Sequence, residues 1–176
     1  MPLEIERRFL LKKSNESLLR EIGCDVFLIT QYYVQEEGNI VRYRRKEKFY
    51  NKNSDWSVKY YKTVKKYISL GTFEEIEEEV DREIVVNVIQ SNVGKVRCVS
   101  KYRYIVNDEK QDLKFEIDLF NFSIVILEVE LPNINHEFKM PPFLQDSIIL
   151  EITGQKEFSN YNLSEFLSPD FKAMYL

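Results

Sequence analysis

The sequence predicts a mainly β member of the α+β class, an antiparallel sheet closed into a barrel with a polar, charged interior. Three observations predict it. Apolar and polar residues alternate with period two over eight segments, the mark of strands with two unlike faces. Few helical patterns interrupt those segments, and strands that follow one another directly form antiparallel sheets. In strand after strand the alternate positions carry charge, which is costly to bury unless the face surrounds water or a ligand.

The first segment, 3–11, places Glu4, Glu6 and Arg8 on one face and Leu3, Ile5 and Phe9 on the other, with Arg7 an exception. Residues 14–22 form the first expected helix, with Ser14 as N-cap and Gly23 just past its end. Strands 26–34 and 39–47 follow, and in the second of these Arg42 and Arg44 oppose Val41 and Tyr43. A turn over 50–55 leads into strand 55–65, where Lys59 faces away from Val58 and Tyr60. The run Lys62–Lys66 is expected as a solvated strand end able to steer anions inward. Strand 72–81 aligns Glu75, Glu77 and Glu79. A helix over 83–93 is closed by Gly94. Strand 97–106 sets Lys101 and Arg103 against Tyr102 and Tyr104, and the tract 107–111 turns the chain. Strand 112–120 sets Glu116 and Asp118 against Phe115, Ile117 and Leu119. Strand 123–131 sets Glu128 and Glu130 against Leu127, Val129 and Leu131. A short helix around 133–140 is expected to stop at Pro141-Pro142, and a C-terminal one around 162–168 to break at Pro169. No internal linker appears, so 1–176 is taken as a single domain.

Antiparallel sheets often keep one wet face, and any single charged pair fits that bland explanation. The set does not, because the charges segregate by strand: three strands contribute mainly bases and four mainly acids. A barrel with a water-filled bore accommodates them, its apolar face turned outward beneath the helices. Such a bore offers guanidinium and ammonium groups to phosphate oxygens and carboxylates to hard divalent cations.

Composition narrows the function classes. The chain has 176 residues, 44% hydrophobic and 31% charged, which excludes a disordered segment. No apolar run approaches the roughly 20 residues that span a bilayer. Lys and Arg number 25 against 29 Asp and Glu, a net charge of −4, which argues against a nucleic-acid binder. There is no Gly-rich phosphate loop, so phosphate binding would rest on side chains. Cys24 and Cys98 lack metal or redox spacing and are expected as reduced thiols; the acidic start has no leader pattern, and a cytoplasmic protein is the expectation. His136 is expected to face solvent, and Trp56 to pack outside; Lys156 and Asn160 are placed near the barrel mouth or in a turn.

These residues carry a resemblance. Glu4-Ile5-Glu6-Arg7-Arg8 resembles the ExExK signature of the CYTH domain, the triphosphate tunnel metalloenzymes. Gln31-Tyr32-Tyr33-Val34, Arg42-Tyr43-Arg44, Lys59, Glu75-Ile76-Glu77, Lys101-Tyr102-Arg103, Glu116-Ile117-Asp118 and Glu128-Val129-Glu130 are similar to its later strands, in order. Ile152-Thr153-Gly154 and Phe158-Ser159-Asn160 are similar to its ending. The resemblance implies an eight-stranded antiparallel β-barrel tunnel that binds triphosphate. It implies that Arg8, Arg42, Arg44, Lys59, Lys101 and Arg103 grip phosphate, with Tyr33 facing the tunnel. It implies that Glu4, Glu6, Glu128 and Glu130 hold Mg²⁺ or Mn²⁺. Catalytic roles then fall to Arg8, Lys59, Glu75, Glu77 and Asp118. The implied activity is hydrolysis of inorganic tripolyphosphate, as in the short bacterial members. Thiamine triphosphatase, nucleoside triphosphatase, class IV adenylate cyclase and a non-catalytic polyphosphate-binding module are the alternatives. The implied partner is a triphosphate-containing small molecule, with no nucleic acid or membrane, and a homodimer is left open. One residue departs from the pattern: Arg8 stands where the family has lysine, and its planar fork is not a lysine point charge.

Overall fold

The computed structural model describes residues 3–12, 19, 24–50, 57–120 and 124–166. The helix expected over 14–22 lies outside these residues except for Leu19, as do Trp56, everything after 166 and, except for Tyr50, the turn expected over 50–55. Among the described residues no helix is long and apolar enough to cross a membrane.

Eight strands alternate around a closed barrel: β1 (Leu3–Leu11), β2 (Asp25–Glu36), β3 (Asn39–Tyr50), β4 (Val58–Ser69), β5 (Thr72–Val80), β6 (Arg97–Asp108), β7 (Leu113–Phe120) and β8 (Val125–Glu130). Their order around the wall is β5-β4-β3-β2-β6-β7-β8-β1, and β1 returns to β5. Each expected strand is present, and all of these neighbours are antiparallel. The closing seam is short, running from Leu3↔Glu74 to Ile5↔Thr72. Gly71 tightens it. The Glu6 N–H donates to the Gly71 carbonyl at 2.8 Å, the glycine sits at φ +67, and an added Cβ would lie 2.7 Å from the Glu6 carbonyl oxygen. The β2–β3 hairpin turns on Glu37 and Gly38, both at positive φ, as a two-residue turn between twisted strands requires.

Alternation sorts the residues as the sequence implies. Outward go Phe9, Leu11, Phe115, Ile117, Val125, Leu127 and Val129, packed with Leu19 and Leu144. Also outward are Tyr32, Val34, Val41, Tyr43 and Cys98, covered by Val85 and Ile89 of α1 (Arg82–Ser91). Cys24 and Cys98 are not joined in a disulfide, and burial pushes the Cys98 thiol up to about 12.

The helix expected at 133–140 is absent. The Asn133 side chain accepts from the Asn135 N–H at 3.1 Å, a local turn that competes with helix. Phe138 and Met140 instead pack onto the outer core. The helix forms one step later as α2 (Pro142–Gln145), because proline suits a first turn and discourages helix before it. A strand the sequence pattern had not marked, β9 (Ile148–Glu151), adds to the free edge of β1 from Phe9 to Leu11. Its Glu151 takes two bonds from the partly buried Arg7 guanidinium, at 2.8 and 2.7 Å. A 3₁₀ turn (Lys156–Phe158) then leads into α3 (Asn160–Phe166).

The bore is not charged along its whole length. On the inner face, Leu10, Tyr33, Val99, Phe120 and Ile126 form an apolar layer with Ile152, Phe158, Tyr161 and Leu163 of the C-terminal segment. That segment therefore packs against one end of the bore, and the charges lie beyond it.

Candidate functional site

The charged part of the bore encloses a cavity of about 340 Å³, within the roughly 300–1,000 Å³ of small-molecule sites. All eight strands aim side chains at it. Glu4, Glu6 and Arg8 come from β1, Arg42 and Arg44 from β3, and Lys65 from β4. Glu75 comes from β5, Arg103 from β6, and Glu128 and Glu130 from β8. Register explains the convergence: Glu6 lies opposite Glu130, Arg8 opposite Glu128, and Lys65 opposite Glu75.

Every base in the lining is held by acids. Arg42 donates to Glu75 at 3.3 Å and to Thr63 at 3.2 Å, while Arg44 closes on Glu77. Arg103 reaches Asp118 through Nε and Nη2, both at 2.6 Å, and Glu128 through Nη2 at 2.6 Å, and it also pairs with Glu116. Arg8 Nε lies 3.1 Å from Glu128. Lys65 contacts Glu4 directly and lies 3.6 Å from Glu6 and 3.7 Å from Glu75. Its ammonium occupies the middle of a carboxylate group.

The acids are unequal. Burial, then the charge of Glu128, pushes Glu6 up to about 7. Glu75 is raised by burial and by Glu4 against the pull of Arg42. Burial would also raise Glu128, but Lys101, Arg103 and Arg8 outweigh it and hold its carboxyl well below the usual range. Glu4 Oε2 is buried with the Lys65 ammonium against it, and Glu75 Oε2 is buried without a hydrogen-bond partner among the described residues. Those oxygens and the reluctant Glu6 are an all-oxygen donor set of the kind that suits a hard divalent cation. No group of three or more acidic, His or Cys side chains among the described residues already stands arranged around one metal position.

Four residues expected at the site stand outside the lining. Lys59 is outside the lining, half exposed and paired with Glu79 at 3.0 Å. Lys101 and Asp118 have fully buried side chains and pair with each other on the inner face, outside the cavity lining. Burial, then Arg103, pulls the Lys101 ammonium down to about 8 against the opposing pull of Asp118. Glu77 holds Arg42 and Arg44 without lining the cavity itself. Tyr33 does face the bore: it is buried, donates to Gln31 Oε1 at 2.8 Å and stacks edge-on against Tyr161 at 5.5 Å. Asn160 also lines the cavity, whereas Lys156 is exposed in its turn and the partly buried His136 lies outside the lining.

Lys65 is the main residue the sequence reading passed over, because it sits in a basic run that looks solvated. The signal was there: Lys65 shares parity with Lys59 and Thr63, and so shares their inner face. Glu116 of β7 lines the cavity as well, with Gln31, Thr63, Phe73 and Tyr161 among the uncharged residues; as neutral or apolar side chains these four carried no charge signal.

No protein-family model matches the sequence, and no curated protein matches it. Solved structures do. The chain is similar to the crystal structure of the inorganic triphosphatase NE1496, with 21% identity and a TM-score of 0.54 over 93% of this chain and 95% of that one. It is also similar to the PH1819 protein from Pyrococcus horikoshii OT3, with 18% identity and a TM-score of 0.51 over 75% of this chain and 80% of that one. At such identities the likeness is one of architecture: the chain has the closed barrel fold that these two proteins have.

Proposed function

We propose that this chain is a divalent-metal-dependent triphosphatase that hydrolyses inorganic tripolyphosphate, or a related triphosphate, inside its barrel. The observation that carries the reading is the lining itself. Arg8, Arg42, Arg44, Lys65 and Arg103 face Glu4, Glu6, Glu75, Glu128 and Glu130 across one cavity. The shared architecture with a protein described as an inorganic triphosphatase supports the choice of tripolyphosphate.

In the ligand-free barrel these groups satisfy one another, since buried charges are tolerated only when paired. Phosphate oxygens compete with the carboxylates for the guanidinium groups, which suit bidentate oxygen pairs. As Arg42, Arg44 and Lys65 turn to phosphate, Glu4, Glu6 and Glu75 lose their partners and need a cation. The triphosphate and the cation therefore favour each other's binding. Glu4, Glu6 and Glu130, joined by Glu75, would hold Mg²⁺ or Mn²⁺, which supplies charge neutralisation and a polarised water. Glu128 joins them only by releasing Arg8 or Arg103.

Water attacks the terminal phosphorus, the bridging P–O bond breaks, and orthophosphate and diphosphate leave. Arg8, Arg42, Arg44 and Arg103 stabilise the charge spread over the phosphoryl oxygens. Asp118 and Lys101, out of reach of the cavity, are positioning residues: Asp118 takes two bonds from Arg103 and so fixes its fork.

Phosphate release from tripolyphosphate in Mn²⁺ tests this. Glu6→Gln and Glu130→Gln are expected to abolish release and keep the melting transition. Unchanged release in both would remove the assignment. Tripolyphosphate binding without turnover in any divalent metal would make the chain a binding module. Pyrophosphate and cyclic AMP from ATP would make it a cyclase.

A further inference from the structure

The inner row of bases continues past the cavity. On β3 the inner positions run Arg42, Arg44, Lys46 and Lys48, and only the first two line the cavity. Lys46 stands directly opposite Lys59 on β4. On β7 the inner row leaves the apolar layer at Phe120, passes Asp118 and Glu116, and ends at Lys114. On β2 it leaves that layer at Tyr33 and ends at Phe27, which is opposite Lys48. Lys46, Lys59 and Lys114 thus rim the end of the bore away from the apolar layer.

Their charges are not balanced there. Lys59 has Glu79 at 3.0 Å, Lys114 has Glu116 at 3.0 Å, and Lys48 has Asp25 at 2.9 Å. Lys46 has no acid partner among the described residues. It lies 4.3 Å from the centre of the Phe27 ring, half-buried, and faces another lysine. Like charges directly opposite on a sheet are destabilising. Burial, then Arg44, Arg103 and Lys114, lowers its pKa, and only Glu116 opposes them. An anion at this rim would offset the repulsion among these bases.

We propose that Lys46, with Lys59 and Lys114, forms a further anion subsite for the phosphates beyond the third of a linear polyphosphate whose first three occupy the cavity. The proposal rests on the triphosphate reading above and extends it to a substrate class, longer polyphosphates. A phosphate suits the rim better than a nucleobase does, because the Phe27 ring already carries Lys46 and, at 5.9 Å, Lys48.

Calorimetric titration of the full chain with tripolyphosphate, linear hexaphosphate and ATP, with and without Mg²⁺, tests it. Hexaphosphate is expected to bind on the order of tenfold tighter than tripolyphosphate. Lys46→Gln removes that gain, leaving tripolyphosphate affinity and the melting temperature unchanged, and Lys46→Arg keeps it. Equal affinity for the two chains in the unaltered protein, or a gain that survives Lys46→Gln, overturns the subsite. A gain of the same size with ATP, lost in Lys46→Gln, overturns it in favour of an organic group at the rim. Binding of neither phosphate chain overturns the triphosphate reading, and the subsite falls with it.

Discussion

Replacing the two halves of the buried Lys101–Asp118 pair is expected to act in opposite directions on stability. Both side chains are fully shielded from solvent, and Asp118 also receives Arg103 at 2.6 Å on each carboxylate oxygen. Lys101→Met therefore leaves Asp118 with two charge-assisted bonds and no unpaired atom. The fall of Lys101 from 10.5 to about 8 corresponds to about 3 kcal/mol of penalty on the ammonium at neutral pH. An apolar isostere escapes that penalty, so the variant is expected to be neutral or more stable by up to about 3 kcal/mol. Asp118→Asn instead strands the Lys101 ammonium in a fully buried position and leaves Arg103 to Glu116 and Glu128. The expected loss is about 3–5 kcal/mol, and Lys101→Met added to Asp118→Asn should recover most of it.

Urea unfolding followed by circular dichroism measures all four proteins. A pH series adds an independent reading. A lysine with a lowered folded pKa binds fewer protons in the folded state, so stability rises with pH between the two values. The unaltered protein should gain relative to Lys101→Met from about pH 8 to 10.5. The reasoning is refuted if Lys101→Met costs more than Asp118→Asn, or if the difference between the unaltered protein and Lys101→Met stays flat over that range.

Two further expectations follow from the site and its seam. Lys65→Gln removes the ammonium shared by Glu4, Glu6 and Glu75, and should lower the stability of the metal-free protein by about 2–4 kcal/mol. Mn²⁺ at about a hundred times its dissociation constant should return roughly 2.7 kcal/mol, read as a rise in melting temperature; no response to Mn²⁺ would count against the carboxylate group as a cation site. Gly71→Ala should cost at least about 2 kcal/mol by thermal unfolding, since the alanine meets both a positive φ and the Glu6 carbonyl oxygen; a cost below about 0.5 kcal/mol would show that the β1–β5 seam is not closed there.

Much of the barrel was legible because a strand's period is two, and period two separates faces without any knowledge of neighbours. Glu4, Glu6 and Arg8, or Arg42 and Arg44, declare a shared face by spacing alone. The same rule placed Phe115, Ile117, Leu127 and Val129 on the opposite face, where they form the outer core. The expected helix over 133–140 failed for a local reason, the Asn133 turn and the two prolines. The unforeseen β9 depends on a free edge of β1 that exists only once the barrel has formed.

Alternation alone thus determined the strands, their two faces and the chemistry of a bore lined with bases and acids. Tertiary structure decided which of those residues meet. Barrel register brings Lys65 among Glu4, Glu6 and Glu75, leaves Lys59 at the rim, and buries Lys101 and Asp118 against each other outside the cavity lining. Period two says which face a side chain takes but not its height along the bore. That height follows from strand pairing and from the C-terminal segment that packs one end, both of them long-range contacts with no local signature.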